Sequence, residues 1–373
     1  MDFSFNDEQQ MLLDTTQRFL ASEYSFERRQ MLLESDEGWS REIWMQLGEL
    51  GLIAVDIPEA DGGIGAGPVG VMLVSQAVGQ GLLLEPFLSS AIVATQAIVQ
   101  CGSDTQRARW LPGMATGECI SVLAHDEAGA GLDVSRIQTR ATGSDTGWTL
   151  SGTKSVVYHA PMANWYLISA RLDDGSLGLF AVAAKTAGIS VREMRTVDGQ
   201  RAADIALDNV VLESDARLGG DVSDALALVI DRGTAALCAE AFGVLDRILK
   251  ATIEYSRSRK QFGMPIGSFQ ALQHRMADML IQFEQARSMM YLATESCAGA
   301  DAAMRRKSIS GAKALIGQAA RFVGQQAVQL HGGMGMTDEL DISHCFKRLL
   351  AFELRFGTTD EHLSNYRLGL QGE

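Results

Sequence analysis

The sequence predicts an α+β fold of three domains in the order helical, β, helical. Amphipathic helical spacing fills the first third of the 373 residues, short β-branched runs follow from about Glu118, and long apolar helical stretches begin after about Asp221. We therefore expect an N-terminal α-helical domain at 1–118, a middle β-domain at 119–222 and a C-terminal helical bundle at 223–373.

The N-terminal helices are predicted from capping residues and apolar spacing. Asn6 can cap a helix with one apolar face, and a second helix ends near Gly51. A glycine-rich loop at 61–65 follows, and helical stretches then continue to about Gln100. The GxGxxG pattern at 65–70 would bind a dinucleotide only between a strand and a helix, so its helical surroundings favour a connecting loop.

The middle and C-terminal domains differ in the period of their apolar residues. Short runs separated by Gly, Asp and Ser predict strands of a small antiparallel sandwich or barrel. These runs lie at 148–150, 155–158, 165–168, 178–182 and 205–212. The later apolar segments predict long helices, which suggest a bundle or an oligomer core. They lie at 226–256, 269–298, 302–329 and 342–353.

The composition argues against several classes of protein. A net charge of −14 is unsuited to a nucleic-acid surface, although local donors can still bind an anion. Five scattered cysteines and six histidines show no metal-ligand spacing, so we expect no metal site and a reducing compartment. The acidic start does not resemble a targeting peptide, and no stretch of about 18 apolar residues predicts a membrane span. We expect a cytoplasmic protein.

Three segments could contact an anionic ligand, and each also has a plain structural interpretation. Small residues at 126–134 let a backbone approach a ligand closely, or simply form a turn. Cations at 257–260 could hold a diphosphate or complement the C-terminus of a helix. The break at 329–335 contains His-Gly-Gly, but the absence of a GxSxG nucleophile elbow argues against a serine hydrolase.

In their order, these segments resemble the acyl-CoA dehydrogenase family across essentially the whole chain. The matching motifs are Leu50-Gly51-Leu52, Ile57-Pro58-Glu59, Gly62-Gly63, the EPGAGSD-like loop from Glu127 to Asp133, Gly152-Thr153-Lys154, Arg259-Lys260-Gln261-Phe262-Gly263, Phe269-Gln270, Gln329-Leu330-His331-Gly332-Gly333 and Gly357-Thr358. Among subfamilies, the sequence is most similar to bacterial small subunits labelled pimeloyl-CoA dehydrogenase.

The resemblance implies a homotetramer or another dimer-based assembly of three-domain subunits that bind FAD and acyl-CoA, with an electron-transfer flavoprotein as electron acceptor. FAD would lie between the β-domain and a C-terminal four-helix bundle, and a neighbouring subunit would complete its site. A carboxylate removes the Cα proton in this family while the β-hydride passes to the flavin. The implied FAD contacts are Arg259, Phe262, Gln270, Gln329, Gly332, Gly333, Thr358 and Asp360, with Leu123, Ala124, His125, Asp126, Val156 and Tyr158 flanking the isoalloxazine.

The catalytic carboxylate is absent from both positions that the family uses. The usual base immediately precedes Gly357-Thr358, where this chain has Phe356. Counting back from Phe262 puts the second family position at Gly233, which is equally inert. Helix geometry directs the side chains of the nearby carboxylates away from the required direction. These carboxylates are Asp231, Glu353 and Asp360.

Three further positions depart from the family pattern. Leu132 replaces the usual serine near the substrate, Val156 replaces a flavin-stacking indole, and Tyr158 replaces a threonine. The sequence favours a subunit that lacks the base and pairs with a larger homologue in a heteromeric dehydrogenase. The alternatives are a stand-alone dehydrogenase with a non-standard base and a flavin-dependent monooxygenase on the same fold.

Overall fold

A computed structural model describes residues 5–131, 136–144 and 146–371. Leu132, which we predict to lie near the substrate, is outside the described residues. The described chain forms two compact units. The bundle unit comprises residues 5–30, 72–83 and 234–371, and the sheet unit comprises the described residues within 31–71 and 84–233. The predicted domain boundaries at 118 and 222 remain a prediction.

The N-terminal third is helical, as the apolar spacing predicts. Its helices are α1 (Asp7–Glu23), α2 (Phe26–Glu34), α3 (Arg41–Glu49), α4 (Gly67–Gly81), α5 (Thr95–Cys101) and α6 (Asp104–Thr116). Asn6 caps α1 in a reciprocal capping box with Gln9, which confirms the predicted start. The GxGxxG pattern runs from a loop into α4 and follows a short 3-10 turn, Glu59–Asp61. The connecting-loop interpretation is therefore confirmed.

The middle region forms an eight-stranded sheet inside the sheet unit. Its strands are β1 (Ser121–Ala124), β2 (Arg140–Ser144), β3 (Gly147–Tyr158), β4 (Trp165–Leu172), β5 (Leu177–Ala183), β6 (Ile189–Arg195), β7 (Arg201–Glu213) and β8 (Arg217–Leu218). The strand order is β6-β7-β3-β2-β4-β5-β8, with β1 also paired to β4. β1 and β2 run parallel to β4, so the predicted purely antiparallel arrangement is wrong at these two pairs.

The sheet owes its core to the strand period of two. Alternate side chains of β3, β4, β5 and β7 point to one apolar cluster, whose members include Leu150, Ile168, Phe180 and Ile205. All four are inaccessible to solvent, and burying such side chains contributes roughly 1.5–3 kcal/mol each. This rigid sheet supports the loops at the ends of β1 and β3.

The C-terminal helices are longer than most helices of globular proteins. They are α7 (Ser223–Ser258), α8 (Gln270–Ser296), α9 (Ala302–His331), α10 (Asp341–Leu354) and α11 (Thr359–Gln371), with a hairpin of β9 (Lys260–Gln261) and β10 (Met264–Pro265) before α8. The four predicted long helices are confirmed, whereas the sequence prediction missed α11. Within the bundle unit, α8, α10 and α11 pack on α9.

Two glycines let α4 and α7 approach closely inside the bundle unit. A Cβ added to Gly79 would lie 1.9 Å from the Glu240 carbonyl oxygen, and one on Gly243 would lie 1.9 Å from that of Gln76. Any larger residue at either position would force the helices apart. Within the described ranges, no helix has the length and apolar character needed to cross a membrane.

Candidate active site

Phe356 lies in the short link between α10 and α11, within the bundle unit. Its φ is +55° and that of the following Gly357 is +95°, so two successive residues adopt left-handed backbone conformations. Such a conformation is unfavourable for a phenylalanine by roughly 1–2 kcal/mol. The surrounding structure must therefore hold this link in place.

Two buried side chains hold the backbone of this link. The Lys313 ammonium donates hydrogen bonds of 2.9 Å to the carbonyl oxygens of both Phe352 and Gly357. The His362 Nε2 lies 2.7 Å from the Phe356 carbonyl oxygen, which identifies Nε2 as the donor. Burial lowers the pKa of Lys313 to about 8 and that of His362 to about 4. Lys313 is therefore charged and His362 neutral at neutral pH.

The carboxylates nearest to Phe356 serve the start of α11. Glu353 accepts hydrogen bonds from the backbone N–H of Thr359 at 2.9 Å and from its hydroxyl at 2.8 Å. Glu361 accepts from the N–H and the hydroxyl of Thr358 at 2.8 and 2.9 Å. Asp360 is exposed in the first turn of the helix. Glu353 is thus engaged in capping, which fits a structural role better than that of a base.

Gly233, which we predict to occupy the second base position of the family, lies on the part of α7 that belongs to the sheet unit. Gly233 is buried there, and Asp231 is 8% exposed. The Arg232 guanidinium donates to the Gln96 side-chain oxygen, and the Gln96 amide donates to the Asp56 backbone carbonyl at 3.2 Å. Burial raises the pKa of Asp56 to about 7, although Arg232 and Gln96 oppose the rise.

Sequence reasoning missed Asp56 as a group that titrates near neutral pH. Asp56 directly precedes the Ile57-Pro58-Glu59 motif, and nothing in that motif indicates burial. The partners that shift its pKa lie 40 residues away at Gln96 and on α7 at Arg232. Only the folded chain brings these groups together.

The structure brings together the two segments of the sheet unit that we predict to flank the isoalloxazine. Leu123, Ala124, His125 and Asp126 end β1 and leave it, and the Ser155 N–H donates to the Asp126 carbonyl at 2.9 Å. The register between β3 and β7 shifts between Lys154 and Val157, which marks a bulge. Val156 in this bulge has a φ of +49° and is 42% exposed.

A buried ion pair lies directly beneath these two segments. The Lys154 ammonium is 2.7 Å from the Glu127 carboxylate, and it also donates to the His125 carbonyl at 3.2 Å. Burial lowers the pKa of Lys154 to about 8. Burial also pushes the pKa of Glu127 upward, but hydrogen bonds from Lys154 and Thr139 outweigh it and leave the pKa below its ordinary value. Both groups are therefore ionised at neutral pH.

The end of α7 presents the predicted diphosphate-binding cations. Arg257, Arg259 and Lys260 are exposed, and none of the three has a side-chain hydrogen bond or an ion pair within the described part of the chain. Phe262 follows in the β9–β10 hairpin with a φ of +53°, and 89% of its surface is exposed. Gln270 is exposed as the first residue of α8. An unpaired cationic cluster in an acidic chain suits an anionic ligand.

The glycine-rich break after α9 lies beside α7 in the bundle unit. The His331 ring stacks on Tyr255 with ring centroids 4.3 Å apart, and its Nδ1 lies 2.8 Å from the Ala327 carbonyl. Gly332 has a φ of +60° and open space where a Cβ would lie. Gly332, Gly333 and Gln329 are all exposed. His331 thus has a structural role, while the neighbouring backbone is accessible.

These observations, taken in each unit separately, fit a flavin dinucleotide. The bundle unit offers cations that have no side-chain partner among the described residues and could hold a diphosphate, and it offers an exposed glycine backbone that a ligand can approach. The sheet unit offers a bulge whose backbone departs from the ladder beside the end of β1. The described residues include no cluster of His, Cys, Asp and Glu arranged to hold a metal ion.

Comparison with known proteins agrees with this interpretation. The chain matches the profiles of the acyl-CoA dehydrogenase N-terminal domain at residues 6–118, the middle domain at 123–212 and the C-terminal domain at 225–367. It is 31% identical over 314 residues to the acyl-CoA dehydrogenase fadE12 of Mycobacterium tuberculosis, covering 81% of this chain and 80% of that protein.

Two solved structures share the fold over almost their full length. A Tcur3481-Tcur3483 steroid ACAD variant has a TM-score of 0.90 and 29% identity, covering 98% of each chain. The ChsE4-ChsE5 complex from Mycobacterium tuberculosis has a TM-score of 0.91 and 27% identity, covering 100% of each chain. From its motifs, its fold and these similarities, the chain belongs to the acyl-CoA dehydrogenase family of FAD-dependent oxidoreductases that act on CH–CH groups.

Proposed function

We propose that this chain is the subunit of a heteromeric acyl-CoA dehydrogenase that does not carry the proton-abstracting base. The observation that supports this most strongly is Phe356, since its aromatic ring cannot accept a proton at the family's usual base position. Gly233 at the second position and Glu353 in its capping role offer no substitute. A larger homologue would supply the carboxylate.

The proposed FAD contacts are those that the family resemblance implies. FAD, when bound, accepts the β-hydride of the acyl-CoA. Arg259 and Gln270 would hold the diphosphate and adenosine side, and the exposure of Arg259 without a carboxylate partner supports this role. The remaining contacts would be Phe262, Gln329, Gly332, Gly333, Thr358 and Asp360, together with the backbone at 123–126 and 156–158.

Exposed apolar side chains on the bundle unit support association with another subunit. Leu280 and Ile281 on α8 are 47% and 54% exposed, and Leu354 at the end of α10 is 69% exposed. Exposed apolar side chains can mark a surface that a partner covers. The two similar solved structures are named as pairs of proteins, and one is described as a complex.

The acyl group, the electron acceptor and the location of the enzyme are further parts of the proposal. The subfamily resemblance suggests a dicarboxylyl-CoA such as pimeloyl-CoA, and the description "steroid ACAD" suggests a steroid-derived acyl-CoA. An electron-transfer flavoprotein is the proposed acceptor, and the cytoplasm is the proposed compartment. Both classes of acyl-CoA belong in the substrate panel of any assay.

The test compares the chain alone with the chain and a co-purifying larger homologue. Each preparation is loaded with FAD, and its visible spectrum is followed after addition of acyl-CoAs and an artificial electron acceptor. We expect the chain alone to bind flavin without bleaching and the pair to bleach. Bleaching by the chain alone would instead support a stand-alone dehydrogenase. In a separate reaction in which NADH supplies the electrons that reduce the flavin, oxygen consumption with a hydroxylated product would support a monooxygenase.

A further inference from the structure

The ion pair between Lys154 and Glu127 is deeply buried in the sheet unit. The Lys154 side chain is inaccessible to solvent and that of Glu127 is 5% exposed. Such a pair is weak support for stability, because desolvation of two charges offsets most of their attraction. Its position beneath the proposed FAD-flanking segments suggests a different role.

Lys154 fixes His125 through both its backbone and its ring. Its ammonium donates to the His125 carbonyl and to the Ser169 hydroxyl, each at 3.2 Å. The same hydroxyl lies 2.9 Å from His125 Nδ1. Burial lowers the pKa of His125 to about 4, with the nearby Lys154 charge acting in the same direction. The ring is therefore neutral, and the segment that leaves β1 is held at two points.

Glu127 holds the residues that immediately precede β2. Its carboxylate accepts hydrogen bonds from the Gln138 N–H at 2.6 Å, from the Thr139 N–H at 3.0 Å and from the Thr139 hydroxyl at 2.5 Å. Thr139 also packs against Gly152, where an added Cβ would lie 2.6 Å from its hydroxyl oxygen. The carboxylate thus ties residue 127 to the chain at 138–139.

The bulge beside this pair is held by two further hydrogen bonds. The Ser155 N–H donates to the Asp126 carbonyl at 2.9 Å, and the Val156 N–H donates to the Asp204 carboxylate at 2.9 Å. Lys154 is the last β3 residue paired with β7 before the register shifts. Its backbone therefore starts the bulge while its side chain reaches the other flanking segment.

We propose that Lys154 and Glu127 are positioning residues for FAD. Together they set the distance and angle between the backbone at 123–126 and the backbone at 156–158, so that both segments meet the isoalloxazine in one fixed arrangement. This inference rests on the proposed FAD contacts of those two segments. Small displacements of preorganised groups weaken both binding and catalysis strongly.

The experiment removes the ammonium and measures the flavin rather than turnover. Lys154→Met is compared with Lys185→Met, the same substitution at an exposed site of the sheet unit. The affinity for FAD is measured by fluorescence quenching, and the flavin midpoint potential by dye equilibration, on the full chain with any homologue that co-purifies. We expect Lys154→Met to weaken FAD binding roughly tenfold or more, since charged hydrogen bonds are lost, and to shift the potential. Lys185→Met should change neither.

Two further variants separate positioning from folding. Glu127→Gln keeps the Lys154 ammonium on the His125 carbonyl and should weaken FAD binding less than Lys154→Met. The double variant Lys154→Met/Glu127→Gln removes both charges of this pair, so it should fold even if the single lysine variant does not. It should still bind FAD weakly.

The outcomes distinguish this inference from the proposed function. The positioning role is overturned if either folded variant that lacks Lys154 binds FAD as tightly as Lys185→Met does and has the same flavin midpoint potential. A wild-type chain that binds no FAD would instead overturn the proposed contacts themselves.

Discussion

Replacement of Phe356 by glutamate should supply a base at the position where we propose that this chain lacks one. The φ of +55° is no less accessible to glutamate than to phenylalanine, and Lys313 and His362 already hold the neighbouring carbonyl groups. The substitution removes a partly buried ring, which is worth about 1 kcal/mol, and the contact of that ring with Arg355 at 5.5 Å, which is worth roughly 0.5–1 kcal/mol. A total near 2 kcal/mol corresponds to a fall in Tm of roughly 4–8 °C.

The variant should stay folded despite this loss of stability, and its flavin should be reduced faster by acyl-CoA. A positioned general base contributes roughly 10²–10⁴-fold to proton transfer. The assay is anaerobic bleaching of the FAD-loaded chain by acyl-CoA, with Phe356→Gln as a control of similar shape that has no base. If Phe356→Glu folds and binds FAD but its flavin bleaches no faster than that of Phe356→Gln, position 356 is not the site of the base.

Three further changes test the buried charges. Lys313→Met removes the ammonium that donates hydrogen bonds to two carbonyl oxygens at the α10–α11 link. Thermal unfolding should therefore show a free energy of unfolding that is lower by roughly 2–5 kcal/mol. The exposed control Lys250→Met should show no such loss. Burial raises the pKa of Asp56 in the folded chain to about 7, above the ordinary aspartate value of 3.8. The stability that protonated Asp56 contributes is therefore lost as the pH rises from about 4 to about 7. In Asp56→Asn, the midpoint of urea unfolding should depend less on pH over that range. An unchanged pH dependence of the midpoint would contradict the raised pKa. Burial lowers the pKa of His362 in the folded chain to about 4, below the ordinary histidine value of 6.5. The stability that the neutral ring contributes is therefore lost as the pH falls from about 6.5 to about 4. His362→Gln should reduce the loss of stability in that window, as followed by circular dichroism, and an equal loss would argue against a buried neutral ring.

Much of the fold could be predicted because its signals are local. The Asn6 cap, the long apolar helices and the strands of the sheet follow from residues that are close in sequence. The parallel pairing of β1 and β2 with β4 could not be predicted, since it depends on chain crossings rather than on composition. α11 was missed because it is weakly apolar and its start is stabilised by Glu353, which lies in the preceding helix.

In the candidate site, too, features set by nearby residues could be predicted, whereas features set by distant residues could not. Phe356 and Gly233 are the positions that flanking motifs predict for the base, and this assignment stays a prediction. The network around Lys154 and Glu127 could not be predicted, since its hydrogen bonds join residues 11 to 29 positions apart. Asp56 was hidden for the same reason, because its carboxyl group is desolvated by distant parts of the chain.

We propose that this chain binds FAD but does not abstract the Cα proton. The most direct measurement incubates the FAD-loaded chain with an acyl-CoA in D₂O and follows deuterium at Cα by mass spectrometry. We predict no exchange above the rate without protein for the chain alone, and clear exchange once the larger homologue is added. Exchange by the chain alone at the rate of the pair would contradict the claim.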